Sequence, residues 1–474
     1  MLFNSPEFMT LLLLTVALYY ALPSLRLPLL AVASMLFYAV SGPGFLVLFL
    51  VVSWISYRLA REFATARGKA LFILALVLNI ANLTLFKYSL FMTQNVERLF
   101  GIQWPVIDQL ISQLILPLGI SFYTFQLISY LVDVRQQRIS PCRNFLLFWV
   151  YMSFFAKLVA GPIMRGQELL PQLAKVQQHR FSLPEFKYGV YLIILGLSKK
   201  LLIADNLAAY VETLFTPAAL ANGAQSWAAA YLYTFQLYFD FSAYSDMAVG
   251  VGYLFGVKLV QNFVTPYVSA NITEFWKRWH ISLSKWIQDY IYIPLGGSRK
   301  GTLRQYVNLF LAMGISGLWH GAAWTFVAWG LLHGALLVGH KLYLDIKKRF
   351  LPQSLGESLG YRLLCVAVFF HIICITWVFF RAGSLTLAVA MTKSMLNPAT
   401  LGQLSGFTMY FGLALGLYLL HLIEHFCRKN EGKLADLWHR VVPAPLRGMS
   451  YTLLLCVLLL AVKTQATGFI YFRF

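Results

Sequence analysis

The stretch SGLWHGAAWTFVAWGLLHGALLVGH, residues 316–340, contains no acidic residue, lysine or arginine. It is long enough for an α-helix to cross the hydrocarbon core of a bilayer. Within it, His320 stands between Trp319 and Trp324 among small and apolar residues. An imidazole in such surroundings costs free energy unless it is hydrogen-bonded or neutral. The stretch therefore predicts a membrane protein in which His320 has either a packing role or a chemical one.

The whole chain has the same apolar character. Of its 474 residues, 59% are hydrophobic and 12% are charged, with a mean hydropathy of +0.67. Repeated apolar stretches of near-spanning length predict an all-α polytopic membrane protein. A helix can cross lipid because its backbone N–H and C=O groups are hydrogen-bonded to one another. The formal net charge of +20 comes from short basic loops such as REFATARGK and DVRQQR. Such loops favour contacts with the lipid bilayer and topology signals, and no nucleic-acid partner is expected.

The apolar stretches differ in length, and several are too long or too short for one crossing. They lie near residues 8–22, 26–41, 44–58, 70–90, 107–132, 144–162, 187–204, 226–256, 306–340, 361–380, 408–427 and 450–463. We expect roughly eleven transmembrane helices, together with re-entrant or interfacial helices. No linker or repeat separates them, so residues 1–474 are predicted to form one membrane-embedded domain. Its parts would be N-terminal spans (1–110), a motif-bearing catalytic core (111–385) and C-terminal spans (386–474).

Residues 271–305 break this apolar pattern. Asn271, with Glu274 three residues later, is typical of a capped helix start. Tryptophans alternate with lysine and arginine in the following residues, which favours a helix lying in the membrane interface. Pro294 and Gly296 predict that a turn ends this helix. The segment is expected to form a cavity wall, and it carries a second histidine, His280.

His320 and His280 are the strongest candidates for chemistry. Each lies beside a tryptophan, in the motifs LWHG and RWHI. Gly317 and Gly321 would let another backbone or a ligand approach His320 closely. A neutral imidazole in a desolvated pocket suits a general base. From the residues alone, catalytic and packing roles both stay open for each histidine.

Acidic residues form a second constellation in QLYFDFSAYSDMAVG, residues 236–250. Asp240 and Asp246 stand within an apolar run, where carboxylates are costly and often functional. The packing interpretation is favoured, with each acid bonded to a basic or hydroxyl side chain of a neighbouring helix. Lys199 and Lys200 are assigned structural roles as well, with side chains reaching the membrane interface.

The motif HLIEH, residues 421–425, matches the pattern of inverted zinc proteases. The two histidines would share one helix face, but no further acidic ligand follows at a suitable spacing. The five cysteines show no paired spacing either. We therefore interpret HLIEH as a chance match and predict no metal site.

Several stretches together resemble the membrane-bound O-acyltransferase (MBOAT) family, in its bacterial branch serving alginate, cellulose and peptidoglycan. The resembling stretches are LPLGISFYTFQLISYLVDV (116–134), FFAKLVAGPIMR (154–165), LYFDFSAYSDMAVG (237–250), ITEFWKRWHISLSKWIQDYIYIPLGG (272–297), GLWHGAAWTFVAWGLLHG (317–334), WVFFRAGSL (377–385) and FIYFRF (469–474). One departure is Ala243, where the family pattern has glycine. The resemblance implies a bundle of helices around a central tunnel in which an acyl thioester meets its acceptor.

The resemblance also implies roles for particular residues. His320 corresponds to the family's principal histidine and would act as the general base, and His280 corresponds to the second histidine of the bacterial branch. Residues expected to line the tunnel or support the histidines are Trp279, Trp319, Trp324, Asp240, Ser245, Asp246 and Ser284. Tyr471 in the last six residues is a possible acyl carrier, although an aromatic end could equally anchor at the interface.

The implied reaction moves an acetyl group from a cytoplasmic thioester donor across the bacterial inner (cytoplasmic) membrane, in which the protein would lie, to an extracytoplasmic polysaccharide. No bound cofactor is expected, and acetyl-CoA or an acyl-carrier thioester would be the donor substrate. The expected partner is a periplasmic SGNH-type acetyltransferase or another envelope acetylation protein, and the polysaccharide is the final acceptor. Two alternatives stay open: a transporter or flippase for a lipid-linked glycan, in which buried Asp and His relay protons, and a scaffold that recruits the acetylation machinery.

Overall fold

A computed structural model describes residues 1–216, 219, 222–350, 358–401, 404–462 and 468–470. Every regular element within these residues is helical, which confirms the all-α prediction. By their contacts the residues form two compact units, one built from Met1–Gly196 and Tyr244–Gln261 and the other from Leu197–Ala243 and Asn262–Ile470. This division by contacts does not test whether residues 1–474 form one membrane domain, and the single-domain organisation stays a prediction.

The first unit is a set of short and medium helices. They are Pro6–Ala21, Arg26–Ala39, Pro43–Ala60, Gly68–Leu83, Ser89–Phe100, Pro105–Ser112, Ile120–Arg135, Phe145–Ser153, Gly166–Ala174 and most of Leu183–Ser198. The first of them starts with a side-chain cap: the Ser5 hydroxyl accepts a hydrogen bond from Phe8 N at 3.3 Å, and Pro6 takes the first helical position.

The second unit contains the candidate histidines. Its helices are Asp205–Leu214, Gly223–Leu254 as far as Ala243, Ile272–Trp276, Ile281–Ile287, Thr302–His320, Trp324–Phe350, Leu359–Arg381, Leu385–Leu396, Thr408–Lys429, Glu431–Val441 and Ala444–Ala461. Buried aromatic side chains dominate its core, including Trp279, Trp329 and Trp377, each 0% exposed. Each large ring buries much apolar area, and tryptophan also carries one N–H donor. Such side chains suit a core that encloses polar groups.

The predicted count of roughly eleven spans is not confirmed. Among the described residues, five helices are long and apolar enough to cross a membrane: Pro43–Ala60, Gly68–Phe100, Leu359–Arg381, Leu404–Lys429 and Ala444–Ala461. A sixth arises if Pro6–Ala21 and Pro23–Ala39, bent by 119°, form one span. The difference arises because apolar stretches contain breaks. The stretch 306–340, for instance, is two helices that meet after His320.

The first part of the segment 271–305 forms two short helices, Ile272–Trp276 and Ile281–Ile287, instead of one. The predicted start is confirmed, since the Asn271 side chain accepts from Glu274 N at 2.9 Å. The helix then stops after Trp276, and His280 adopts a left-handed conformation with φ 41° before Ile281–Ile287 begins. Asn262 causes the restart, because its carbonyl oxygen accepts from Ile281 N at 3.0 Å. The predicted turn follows, with Gly296 at φ 110°.

Candidate active site

The two helices that meet after His320 lie against each other through glycine. A Cβ added to Gly317 would collide with the carbonyl oxygen of Phe326, and one added to Gly330 would collide with the facing helix backbone. A Cβ on Gly321 would collide with the Phe326 ring. The close approach of another backbone is therefore confirmed at Gly317, whereas a side-chain ring approaches Gly321. It places His320, the last residue of the first helix, beside side chains of the second.

His320 is enclosed by aromatic rings. Its side chain is 3% exposed, and its ring centroid lies 5.0 Å from that of Trp319 and 5.1 Å from that of Phe380. The Trp329 ring is also 5.0 Å away and almost perpendicular to the imidazole. Such a shell excludes water, so electrostatic interactions with the imidazole are stronger than in solution.

His280 is fully buried at the turn between the two short helices. The Phe241 ring meets it edge-on at 4.7 Å, and the Phe263 ring stacks with it at 6.3 Å. The Asn262 side chain fixes the turn by accepting from Ser282 N at 3.1 Å. Burial holds the pKa of His280 well below its usual value, so the ring is neutral at physiological pH.

The structure brings the two predicted histidines together. Their ring centroids lie 6.5 Å apart, and the Trp319 ring contacts both, at 5.0 Å from His320 and 5.9 Å from His280. This separation is too large for a hydrogen bond between the two rings. The two imidazoles are therefore neighbours in one aromatic cluster without a direct hydrogen bond between them.

A third buried histidine, His333, belongs to the same cluster and is missing from the predicted site. Its Nε2 lies 3.1 Å from the Thr376 hydroxyl, and its ring centroid lies 4.5 Å from that of Trp329. Nδ1 of His333 has no hydrogen-bond partner within the described residues. The spacing of Trp329 and His333, four residues apart on one helix, is the sequence signal that predicts this neighbourhood.

Three tryptophans in the cluster keep unused indole donors. Within the described part of the chain, Nε1 of Trp276, Trp329 and Trp377 has no hydrogen-bond partner, although their side chains are at most 8% exposed. The predicted supporting residue Trp279 packs beside Trp377, with ring centroids 4.8 Å apart. Buried donors without partners cost free energy, and a bound acceptor would recover it.

The other predicted supporting residues lie in varied settings. Trp324 is 49% exposed, unlike the buried Trp279 and Trp319 of the cluster. Ser284 is half-buried and donates its backbone N–H to the His280 carbonyl at 3.0 Å. Ser245 and Asp246 are buried residues of the first unit. Tyr471 lies outside the described residues.

Asp240 lies in a buried charge cluster. Lys200 Nζ is 2.7 Å from Asp240 Oδ1 and 2.8 Å from Asp205 Oδ1, and all three side chains are at most 6% exposed. Asp240 is thus bonded to a lysine, as the packing interpretation predicts. The interface location predicted for Lys199 and Lys200 is wrong, because buried carboxylates hold both ammonium groups inside the unit.

The HLIEH motif forms a second charge cluster around Glu424. This carboxylate bonds Lys199 Nζ at 2.7 Å, Arg428 Nε at 3.0 Å and the Tyr238 hydroxyl at 2.8 Å. His421 Nε2 accepts from a backbone N–H at 3.2 Å. Within the described residues, no group of three or more His, Cys, Asp or Glu side chains is arranged to hold a metal ion.

Comparison with known proteins finds one family and several relatives whose names all describe acyl transfer. Residues 65–386 match the sequence profile of MBOAT, the membrane-bound O-acyltransferase family. A peptidoglycan O-acetyltransferase of Helicobacter pylori is 35% identical over 454 residues, covering 85% of this chain and 84% of its own. A probable alginate O-acetylase AlgI of Pseudomonas aeruginosa is 38% identical over 384 residues, covering 78% and 70%. A teichoic acid D-alanyltransferase of Bacillus subtilis is 27% identical over 271 residues, covering 54% and 66%.

Proposed function

Since the chain belongs to the membrane-bound O-acyltransferase family and is a multi-pass membrane O-acyltransferase, we propose that it O-acetylates an extracytoplasmic polysaccharide with His320 as general base. The observation that carries the proposal is the convergence of His320 and His280 in a buried shell with unused indole donors. Acyl transfer from a thioester needs a base for the attacking hydroxyl and donors for the developing oxyanion. The cluster offers both.

The reaction follows from these groups. A ring nitrogen of His320 accepts the proton of the acceptor hydroxyl, whose oxygen attacks the thioester carbonyl carbon. The indole N–H groups of Trp329 and Trp377 are the donors that we assign to the resulting oxyanion, with His280 as a further polar group beside it. When the tetrahedral intermediate collapses, the C–S bond breaks and the imidazolium returns the proton to the departing thiolate.

The substrates and partner are the finer part of the proposal. The donor is acetyl-CoA, reaching a central tunnel from the cytoplasmic side of the bacterial inner membrane. The immediate acceptor is a serine of a periplasmic SGNH-type acetyltransferase, which passes the acetyl group to the polymer. Relatives named for alginate and peptidoglycan support these two polysaccharides ahead of cellulose.

The test is acetyl transfer in proteoliposomes. Radiolabelled acetyl-CoA is supplied to the wild type and to His320→Ala and His280→Ala variants, with a periplasmic acetyltransferase and its polymer as acceptors. We expect label on the acceptor for the wild type and almost none for His320→Ala. The control is His371→Ala, because His371 is exposed and hydrogen-bonded to Ala367 O of its own helix. Equal transfer by wild type and folded His320→Ala would refute the role of this base.

The transporter alternative makes a different prediction in the same vesicles. A flippase would move a lipid-linked glycan without acetyl-CoA, and its rate would follow the proton gradient. The scaffold alternative predicts that His320→Ala supports transfer as well as the wild type does. Consumption of acetyl-CoA that requires His320 and persists without a gradient would contradict both.

A further inference from the structure

The buried cluster of Lys200, Asp205 and Asp240 has no part in the chemistry proposed above. One ammonium group faces two buried carboxyl groups, those of Asp205 and Asp240. Buried charge is stable only when further hydrogen bonds satisfy it. The second oxygen of Asp240 obtains such a bond from the backbone N–H of Ile470, at 2.7 Å.

The C-terminal segment 468–470 is held by more than this bond. Lys200 Nζ donates to the carbonyl oxygen of Gly468 at 3.3 Å and lies 4.4 Å from the centre of the Phe469 ring. The Phe469 and Ile470 side chains are 1% and 8% exposed. The segment is therefore bound as a peptide ligand would be, through its backbone, a cation–π contact and two buried apolar side chains.

The bound segment is connected to the candidate active site through one helix. Asp240 is followed directly by Phe241, whose ring meets His280 edge-on at 4.7 Å. We propose that residues 468–470 are an intramolecular peptide ligand of the Lys200–Asp240 pair, and that this docking holds Phe241 against His280 during acyl transfer. The proposal rests on the acyltransferase function proposed above. In it, Asp240 is a positioning residue and not a catalytic one.

The sharpest test removes the N–H donor and leaves every charge in place. Ile470→Pro deletes the hydrogen bond to Asp240, and Ile470→Val keeps it. A hydrogen bond to a charged group corresponds to roughly a ten- to hundredfold change in the docked population. We expect kcat for acetyl transfer to fall by about tenfold or more in Ile470→Pro, with the KM for acetyl-CoA nearly unchanged. Ile470→Val should restore the wild-type kcat.

Hydrogen exchange of the full-length chain in detergent measures the docking itself. The peptide containing residues 468–470 should lose protection in Asp240→Asn and keep it in Asp205→Asn, because Asp240 accepts from Ile470 N whereas Asp205 bonds Lys200. Equal protection in the two variants would overturn the docking. A wild-type kcat in Ile470→Pro would overturn the positioning role. If the wild type transferred no acetyl group, the proposed function would fail, while hydrogen exchange would still decide whether the tail docks.

Discussion

The second unit buries polar groups in two contrasting ways. Around Lys200 and Glu424, each charged group faces opposite charge at hydrogen-bond distance. Around His320, the polar groups are imidazoles and indoles enclosed by rings, and some indole donors have no partner within the described residues. Paired charges lock helices together, whereas unused neutral donors serve a group that is yet to arrive. Replacing a charged group should therefore mainly lower stability in the first region, and replacing an imidazole or indole should mainly lower turnover in the second.

The largest expected effect is the loss of turnover in His320→Gln. Glutamine keeps a polar side chain but removes the base, so transfer should fall by about a hundred- to ten-thousandfold. The unfolding midpoint in detergent should stay close to that of the wild type. Initial rates of acetyl transfer measure the effect, with His371→Gln as the control. A matched fall in rate and midpoint would mean that His320 acts through packing.

Lys200→Met should cause the largest loss of stability. It leaves Asp205 and Asp240 buried without their shared cation, which typically costs about 3–5 kcal/mol. Lys199→Met should cost less, since Glu424 keeps Arg428 and the Tyr238 hydroxyl. Thermal unfolding of both variants in detergent gives the order. If Lys199→Met were as unstable as Lys200→Met, the remaining partners of Glu424 would not compensate for the lost ammonium group.

Trp377→Phe tests the unused donors. Phenylalanine removes an N–H that bonds nothing within the described residues, so any loss of stability should come only from the smaller ring. Loss of one oxyanion donor, in contrast, typically costs about a hundredfold or more in kcat. Trp227→Phe is the matched control, because Trp227 Nε1 donates to Met395 O at 2.9 Å. It should lower stability by about 1 kcal/mol and leave turnover intact. The reverse pattern would remove Trp377 from the proposed oxyanion site.

The smallest effect is expected at an exposed ion pair. Lys258 and Glu185 are 2.9 Å apart in the first unit, with side chains 61% and 32% exposed. Solvent and salt screen such a pair, so Lys258→Gln should change the free energy of unfolding by less than about 1 kcal/mol. Denaturation at low and high salt checks this value. If Lys258→Gln lost as much stability as Lys200→Met, burial would not explain the difference between the Lys258–Glu185 pair and the Lys200 cluster.

Much of the site could be predicted from sequence because its chemistry is local. His320 and His280 stand in short motifs with tryptophan, and the cap at Asn271 follows from the spacing of two polar residues. The left-handed turn at His280 depends on Asn262, which is distant in sequence, so helical periodicity alone predicts a continuous helix. Resemblance to a family supplied the reaction, which no spacing of residues could give.

What sequence reasoning missed depends on contacts between distant segments. His333 lies in an ordinary apolar run, and only its hydrogen bond with Thr376 and its contact with Trp329 place it in the cluster. Lys199 and Lys200 have long side chains suited to an interface, but partners on other helices hold them inside. The count of roughly eleven spans stays unconfirmed, and hydropathy does not register breaks such as the one after His320.

The glycine contact between the two helices that meet after His320 matters for protein engineering. Stability design commonly replaces helical glycine by alanine, which gains about 1 kcal/mol in helix propensity. At Gly317 or Gly330 the added methyl group would force the backbones apart and shift His320 at the end of its helix. Libraries aimed at longer acyl donors should therefore keep both glycines and vary Phe380 instead, whose ring centroid lies 5.1 Å from that of His320.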